Sequence, residues 1–458
     1  MTSRPDLRSA DPRCTGDKRT PRSPTQNVPR ACPYSTKSAV AHAPSMDPRD
    51  GGSVEPALPP SGTSTPRDDQ EKITRVLAAC HEHDLDALSE LASSTGGFIE
   101  DEVRRTAWPV LLGSYTDGNR TTPDWRHLPR HREEGQVQLD VDRSFIYYPD
   151  HESDRQKEKR RRELSDVITA VLRRHPLLCY FQGYHDIVQV LLLVLGANAA
   201  EPAAARLSLL RIRDFMLPTM SASQSHLQLL PAILYVADRE LYQHLSSAYH
   251  PAPFFALAAT LTLYAHDIEG YGDIVRLFDY LLASGAVVPV YLFAAIVITR
   301  KKELLEIEHD EPEMLHSILS KLPKPLHLEG LISKTRNLFE TYPPERLPNR
   351  AWRRVSTYSV LKTTRNPQSL AAQSLSEGEQ LYEKHAAEIR RHDMLINVQQ
   401  RMYALARKYR RPARWTGAAI AVALLALYMR RADGAVRIVE TLGRSGDTAW
   451  RFVGSFAA

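Results

Sequence analysis

Three short segments carry residue types that could do chemistry. Leu139-Asp140-Val141-Asp142-Arg143-Ser144-Phe145-Ile146-Tyr147-Tyr148-Pro149 sets an arginine beside an aromatic cluster. Asp140 lies three residues before Arg143, one helical turn, where a carboxylate can hold the guanidinium by a charge-assisted hydrogen bond. A guanidinium is planar, permanently charged and able to fork two phosphate oxygens. Tyr180-Phe181-Gln182-Gly183-Tyr184-His185-Asp186-Ile187 puts a Gln-Gly step before a long apolar run. A carboxamide accepts and donates hydrogen bonds without carrying charge. Val103-Arg104-Arg105-Thr106-Ala107-Trp108-Pro109-Val110-Leu111-Leu112-Gly113 begins near a basic pair and lands Trp108 against aliphatic residues, a pattern of core packing.

Other chemistries are absent. No G-x-x-x-x-G-K-[ST], G-x-S-x-G, H-E-x-x-H or G-x-G-x-x-G occurs, which excludes nucleotide binding by those loops and ester hydrolysis from a nucleophile elbow. Cys80-His81-Glu82-His83-Asp84 is too compact to close a metal site from one helix face, so no metal is expected. The cysteines Cys14, Cys32, Cys80 and Cys179 are scattered without metal spacing, which fits a reducing compartment. His185 and Asp186 read as structural hydrogen-bond partners, and Tyr180 as packing.

The elements that must position these groups are helical. Of 458 residues, 43% are hydrophobic and 25% charged, ample for a core. Residues 1–68 hold 12 of the 31 prolines and few large apolar side chains, so they are expected to be disordered. From 69 to 349, apolar residues recur at helical spacing, as in Ile73, Val76, Leu77, Leu85 and Leu88, with prolines at helix ends and no alternating strand. This part carries 30 Lys+Arg against 39 Asp+Glu, which argues against a nucleic-acid surface.

Residues 350–414 reverse the balance, with 14 basic residues against 5 acidic. Residues 350–411 read as a basic linker and amphipathic helix, with Tyr382, Ile389, Ile396 and Tyr403 repeating every seven residues. Trp415 to Met429 is uncharged and flanked by Arg414, Arg430 and Arg431, so residues 412–432 are expected to form a short transmembrane helix with snorkelling arginines. Residues 433–458 are a tail. The basic band preceding the run orients the N-terminal side to the cytosol.

Taken in order, the three segments resemble the R-x-x-W, D-x-x-R and Y-x-Q-G hallmarks of the TBC domain, the catalytic unit of GTPase-activating proteins for Rab GTPases. The resemblance runs from residue 75 or so to 345. Gln182 to Val188, Arg213-Asp214-Phe215-Met216 and Val275-Arg276-Leu277-x-Asp279 are similar to a branch of that family with a hydrophobic anchor in the endoplasmic reticulum. Arg143 departs from the pattern in being followed by Ser-Phe, where many TBC domains have Thr-Phe-Pro.

The resemblance implies an all-α, two-lobed domain with Arg143 as arginine finger and Gln182 as glutamine finger, supported by Asp140, Tyr180 and Gly183. Gly183 would admit the GTPase backbone. The partner would be a Rab-family GTPase that brings its own GTP and Mg²⁺, so the chain needs no cofactor. The expected setting is traffic between endoplasmic reticulum and Golgi, the protein being held in the reticulum membrane by a single pass with the TBC domain in the cytosol. The alternative is a catalytically inactive, membrane-anchored Rab-binding adaptor. The presence of both fingers favours the activator.

Overall fold

The computed structural model describes residues 66–115, 124–149, 152–249, 252–308 and 310–430. Among these residues every regular element is helical. Most of the segment expected to be disordered (1–65) and the 433–458 tail lie outside the described residues.

Local chemistry sets the helix limits. Pro66 opens the helix Pro66–Glu82, where its missing N–H is no loss. Asp84 caps the helix Leu85–Ser93, accepting from the backbone N–H groups of Asp86 at 3.1 Å and Ala87 at 2.9 Å. The helix Asp101–Leu112 stops at Gly113, which turns into the left-handed region at φ 68°. The apolar runs too short to span a membrane are core helices: Tyr184–Leu195 is buried over most of its length, and Val288–Thr299 is buried from Val288 to Val297.

The packing falls into two groups. Pro66–Glu82, Leu85–Ser93, Asp101–Leu112, Asp154–Arg174, Tyr184–Leu195 and Ala197–Leu210 stack on one another. Leu229–Ala237, Val288–Thr299 and Leu328–Thr341 form the second group. The helix Tyr271–Leu282 touches both and carries the tie that joins distant segments, the fully buried Asp279. Its carboxylate accepts from Arg104 (Nε at 3.1 Å, Nη2 at 3.0 Å), from Trp108 Nε1 at 2.8 Å and from the Phe98 backbone N–H at 3.0 Å. Trp108 is therefore a core residue, as its sequence context indicates.

The folded body continues past residue 349. Asp214, also fully buried, accepts from Ser359 Oγ at 2.5 Å and the Val360 N–H at 3.2 Å, with His226 Nε2 2.9 Å away. Arg206 reaches the carbonyls of Leu370 at 3.0 Å and Gln373 at 3.0 Å. These bonds dock the residues between Val355 and Gln373 on the body.

The C-terminal expectation needs correction. Among the described residues no helix is long and apolar enough to cross a membrane. The stretch expected at 412–432 is not a separate element; up to Arg430 it continues one helix, Leu375–Arg430, whose first turns pack on the body through Tyr382 and Ile389. The reason is length and side-chain size. Fifteen uncharged residues rise only ~22 Å against ~30 Å of hydrocarbon. Several of those, Gly417, Ala418, Ala419, Ala421, Ala423 and Ala426, bring little transfer energy.

Replacing Asp279 by Ala leaves the buried Arg104 with Asp101 as its remaining carboxylate, 3.0 Å from Nη1, and is expected to lower stability by about 3 kcal/mol. Trp108→Phe keeps most of the ring and forfeits the indole bond, for about 1–3 kcal/mol. Urea unfolding of the two variants separates them. Equal losses would mean that the ion pair adds nothing beyond the indole bond.

Candidate functional site

The arginine segment hangs from the helix Glu134–Val141, and a pair of carboxylates fastens the start of that helix. Glu134 takes Arg173 at both oxygens, Nε at 2.7 Å and Nη2 at 3.0 Å, and also accepts from Arg130 Nε at 3.0 Å. The Arg173 guanidinium holds its carboxyl down to about 2, well below the usual carboxylate range. Glu133 accepts from the Tyr180 backbone N–H at 2.5 Å and so fixes the glutamine segment against the same helix start.

Asp140 lies at the far end of the helix, completely buried. One oxygen accepts from Gln136 Nε2 at 3.1 Å and from Arg143 Nη2 at 2.6 Å; the other accepts from the Tyr180 hydroxyl at 2.9 Å. The one-turn spacing of Asp140 and Arg143 thus forms the bond expected of it. Arg143 is itself exposed, and its Nε donates to the Leu139 carbonyl at 3.2 Å. Two of its nitrogens are held, and Nη1 has no partner among the described residues.

Gln182 is exposed, two residues past Tyr180, and its carboxamide has no hydrogen-bond partner among the described residues. Tyr180 does more than pack. Burial pushes its hydroxyl well above the ordinary range, so it stays protonated and donates to Asp140, linking the two exposed groups through one carboxylate.

Gly183 is buried at φ 102°, and a Cβ there would sit 2.6 Å from Thr262 Cγ2. The close approach it permits within this chain is that of Thr262. Asp186 lies 3.2 Å from His185 Nε2 and 3.0 Å from His266 Nδ1, and its carboxylate raises the His266 imidazole.

Sequence reasoning missed four groups. Gln189 Oε1 accepts from the Phe145 N–H at 3.1 Å; it is a lone polar side chain inside an apolar run, a signal that was available. Glu133 and Glu134 were visible as a carboxylate pair, without a visible partner. Thr262 gives no signal in sequence. Among the described residues no cluster of three or more His, Cys, Asp or Glu could hold a metal ion.

A family model, the Rab-GTPase-TBC domain, matches residues 101–305, a range that contains Arg143, Gln182 and Asp279. TBC1 domain family member 20 from Homo sapiens is 36% identical over 284 residues, covering 62% of this chain and 70% of that protein. The GTPase-activating protein gyp10 of Schizosaccharomyces pombe is 32% identical over 287 residues, covering 62% of this chain and 76% of its own. Among solved structures, the Ypt/Rab-GAP domain of Gyp1p is 14% identical and covers 58% of this chain and 99% of that one, with a TM-score of 0.47.

The Glu134 pair makes a pH prediction. A carboxyl depressed from 4.5 to about 2 binds fewer protons in the folded chain, so its stabilisation is present above pH 4.5 and lost as pH falls toward 2. Glu134→Gln should be less stable than the parent at neutral pH by about 2 kcal/mol. Thermal unfolding across pH should show the gap closing below pH 4.5; a constant gap would rule out the ion pair as its source.

Proposed function

Because the chain belongs to the Rab-GTPase-TBC domain family, we propose that it accelerates GTP hydrolysis by a Rab-family GTPase, presenting Arg143 and Gln182 to the partner's nucleotide. The observation that carries this reading is the carboxylate of Asp140, buried and bonded at once to Arg143 and to Tyr180, two residues from Gln182. An arginine destined for another protein's phosphate must be exposed yet aimed, and Arg143 is both.

The division of labour follows from phosphoryl-transfer chemistry. The transferring phosphoryl group spreads negative charge over its oxygens, and a guanidinium supplied in trans stabilises that charge, for ~10³–10⁵ in rate. Asp140 and the Leu139 carbonyl hold Nη2 and Nε on the protein side, which points the remaining edge of the fork outward. Gln182, neutral and without an internal bond, is suited to accept from the attacking water while donating to a phosphate oxygen. GTP and Mg²⁺ belong to the GTPase, and the activator's part is position and charge.

The setting proposed is the cytosolic face of the endoplasmic reticulum, in traffic toward the Golgi. It is supported by the excess of basic residues between 350 and 414 and by exposed apolar side chains on the last turns of the long helix, among them Ile420, Val422, Leu424 and Leu425.

Single-turnover hydrolysis by a panel of GTP-loaded Rab proteins tests the reading. Arg143→Lys keeps the charge but loses the fork, and stimulation should drop by ~10²-fold or more. Gln182→Ala should fall similarly while the fold is unchanged. Tyr180→Phe should retain the fold and lose part of the rate, since Asp140 then holds Arg143 without its second donor. Full stimulation by Arg143→Lys would rule out the finger, and a parent chain that binds a Rab protein without stimulating its hydrolysis would leave the adaptor.

A further inference from the structure

Large apolar side chains left in water are few on the body, and they are not spread evenly. Among the described residues before 350, six are exposed: Leu77, Tyr115, Leu139, Ile146, Tyr147 and Met314. Three of the six, Leu139 at 59% exposed, Ile146 at 71% and Tyr147 at 49%, fall within four residues of Arg143, whose side chain is 64% exposed. Large apolar side chains exposed this close in sequence to an exposed arginine point to a surface that another molecule covers.

The backbone holds the cluster outward. Phe145 is a non-glycine residue at φ 61°, a conformation L side chains disfavour. It stays there because its ring is buried and its N–H is bound by Gln189 Oε1 at 3.1 Å. Tyr148, buried with its hydroxyl 3.4 Å from the Ala265 carbonyl, pins the other side. Between these two anchors Ile146 and Tyr147 are turned to solvent. The strain and the exposure bring no return inside this chain.

We infer that Leu139, Ile146 and Tyr147 form an apolar collar around Arg143 that packs on an apolar patch of the Rab-family GTPase beside its nucleotide pocket, and that this collar sets affinity rather than turnover. The inference rests on the arginine-finger reading. A guanidinium can reach a phosphate buried in its partner only if the partner's surface presses on the segment that carries it, and Leu139, whose carbonyl binds Arg143 Nε, Ile146 and Tyr147 are the exposed apolar residues of that segment. The occupant is therefore the GTPase; a second copy of this chain has no reason to centre on Arg143.

The test is steady-state stimulation by the full chain, with the GTP-loaded Rab as varied substrate. Ile146→Ser/Tyr147→Ser removes exposed groups and should leave folding intact. Its KM should rise by ~10-fold or more, with kcat within about 3-fold of the parent. Arg143→Lys should show the reverse, a fall in kcat at nearly constant KM. Met314→Ser, exposed and remote in sequence from the collar, should change neither. An unchanged KM in the double variant while the parent is active overturns the collar and leaves the finger reading standing. If instead the double variant turns a sedimenting dimer into a monomer without moving KM, the patch joins two copies and the inference is wrong. A parent chain that stimulates no Rab overturns both readings.

Discussion

A carboxylate kept wholly out of water must find donors for both oxygens, and at Asp140 the donors are the parts of the site. Gln136 comes from its own helix, Arg143 from the turn that follows, Tyr180 from a segment forty residues on. Gln136 and Arg143 share one oxygen, while Tyr180 is the side-chain donor to the other among the described residues. The geometry that aims Arg143 is thus enforced by the burial of a neighbour, and the arginine itself stays free of the core.

The same device builds the body that carries the site. Asp279 gathers Arg104, Trp108 and the Phe98 N–H, bringing the first helices against Tyr271–Leu282. Asp214 gathers His226, Ser359 and the Val360 N–H, and its carboxyl is held far below the usual range by the two histidines beside it, against the upward pull of burial. In a fold without strands, helices are otherwise held by non-directional apolar contact, which fixes volume better than register. Three buried carboxylates supply the direction. Each binds segments distant in sequence, so rotation or sliding of a helix that carries one of these carboxylates or its donors would break charge-assisted bonds.

What could be read in the sequence was what depends on local spacing. Helical periodicity located the helices, the i,i+3 step located the Asp140–Arg143 bond, and the aliphatic setting of Trp108 placed it in the core. What could not be read depends on residues that meet only in three dimensions. The hydroxyl of Tyr180 finds Asp140 across forty residues, and Gly183 is squeezed by Thr262 across seventy-nine. Nothing in the local composition of either segment names the other. The run Trp415 to Met429 was misjudged for a different reason. Charge flanks and aromatic edges marked its ends convincingly, while its length and its many alanines, which decide whether hydrocarbon is the better solvent, fell short.

Stability and chemistry are assigned to different atoms in this site. Asp140, Tyr180 and Gln189 are buried and hydrogen-bonded inside the body, whereas Arg143 and Gln182 are exposed. The Arg143 guanidinium is 64% exposed although its Asp140 partner is buried, so solvent screens the pair and its worth to the fold is small, ~1 kcal/mol. On the proposed reading, the same guanidinium carried into a partner's dry phosphate site would act in a setting where charge is far stronger. The site keeps its reactive ends loosely bound at home and rigidly aimed from beneath. On the proposed reading, that arrangement is what an activator needs in order to add a charge to another protein's reaction.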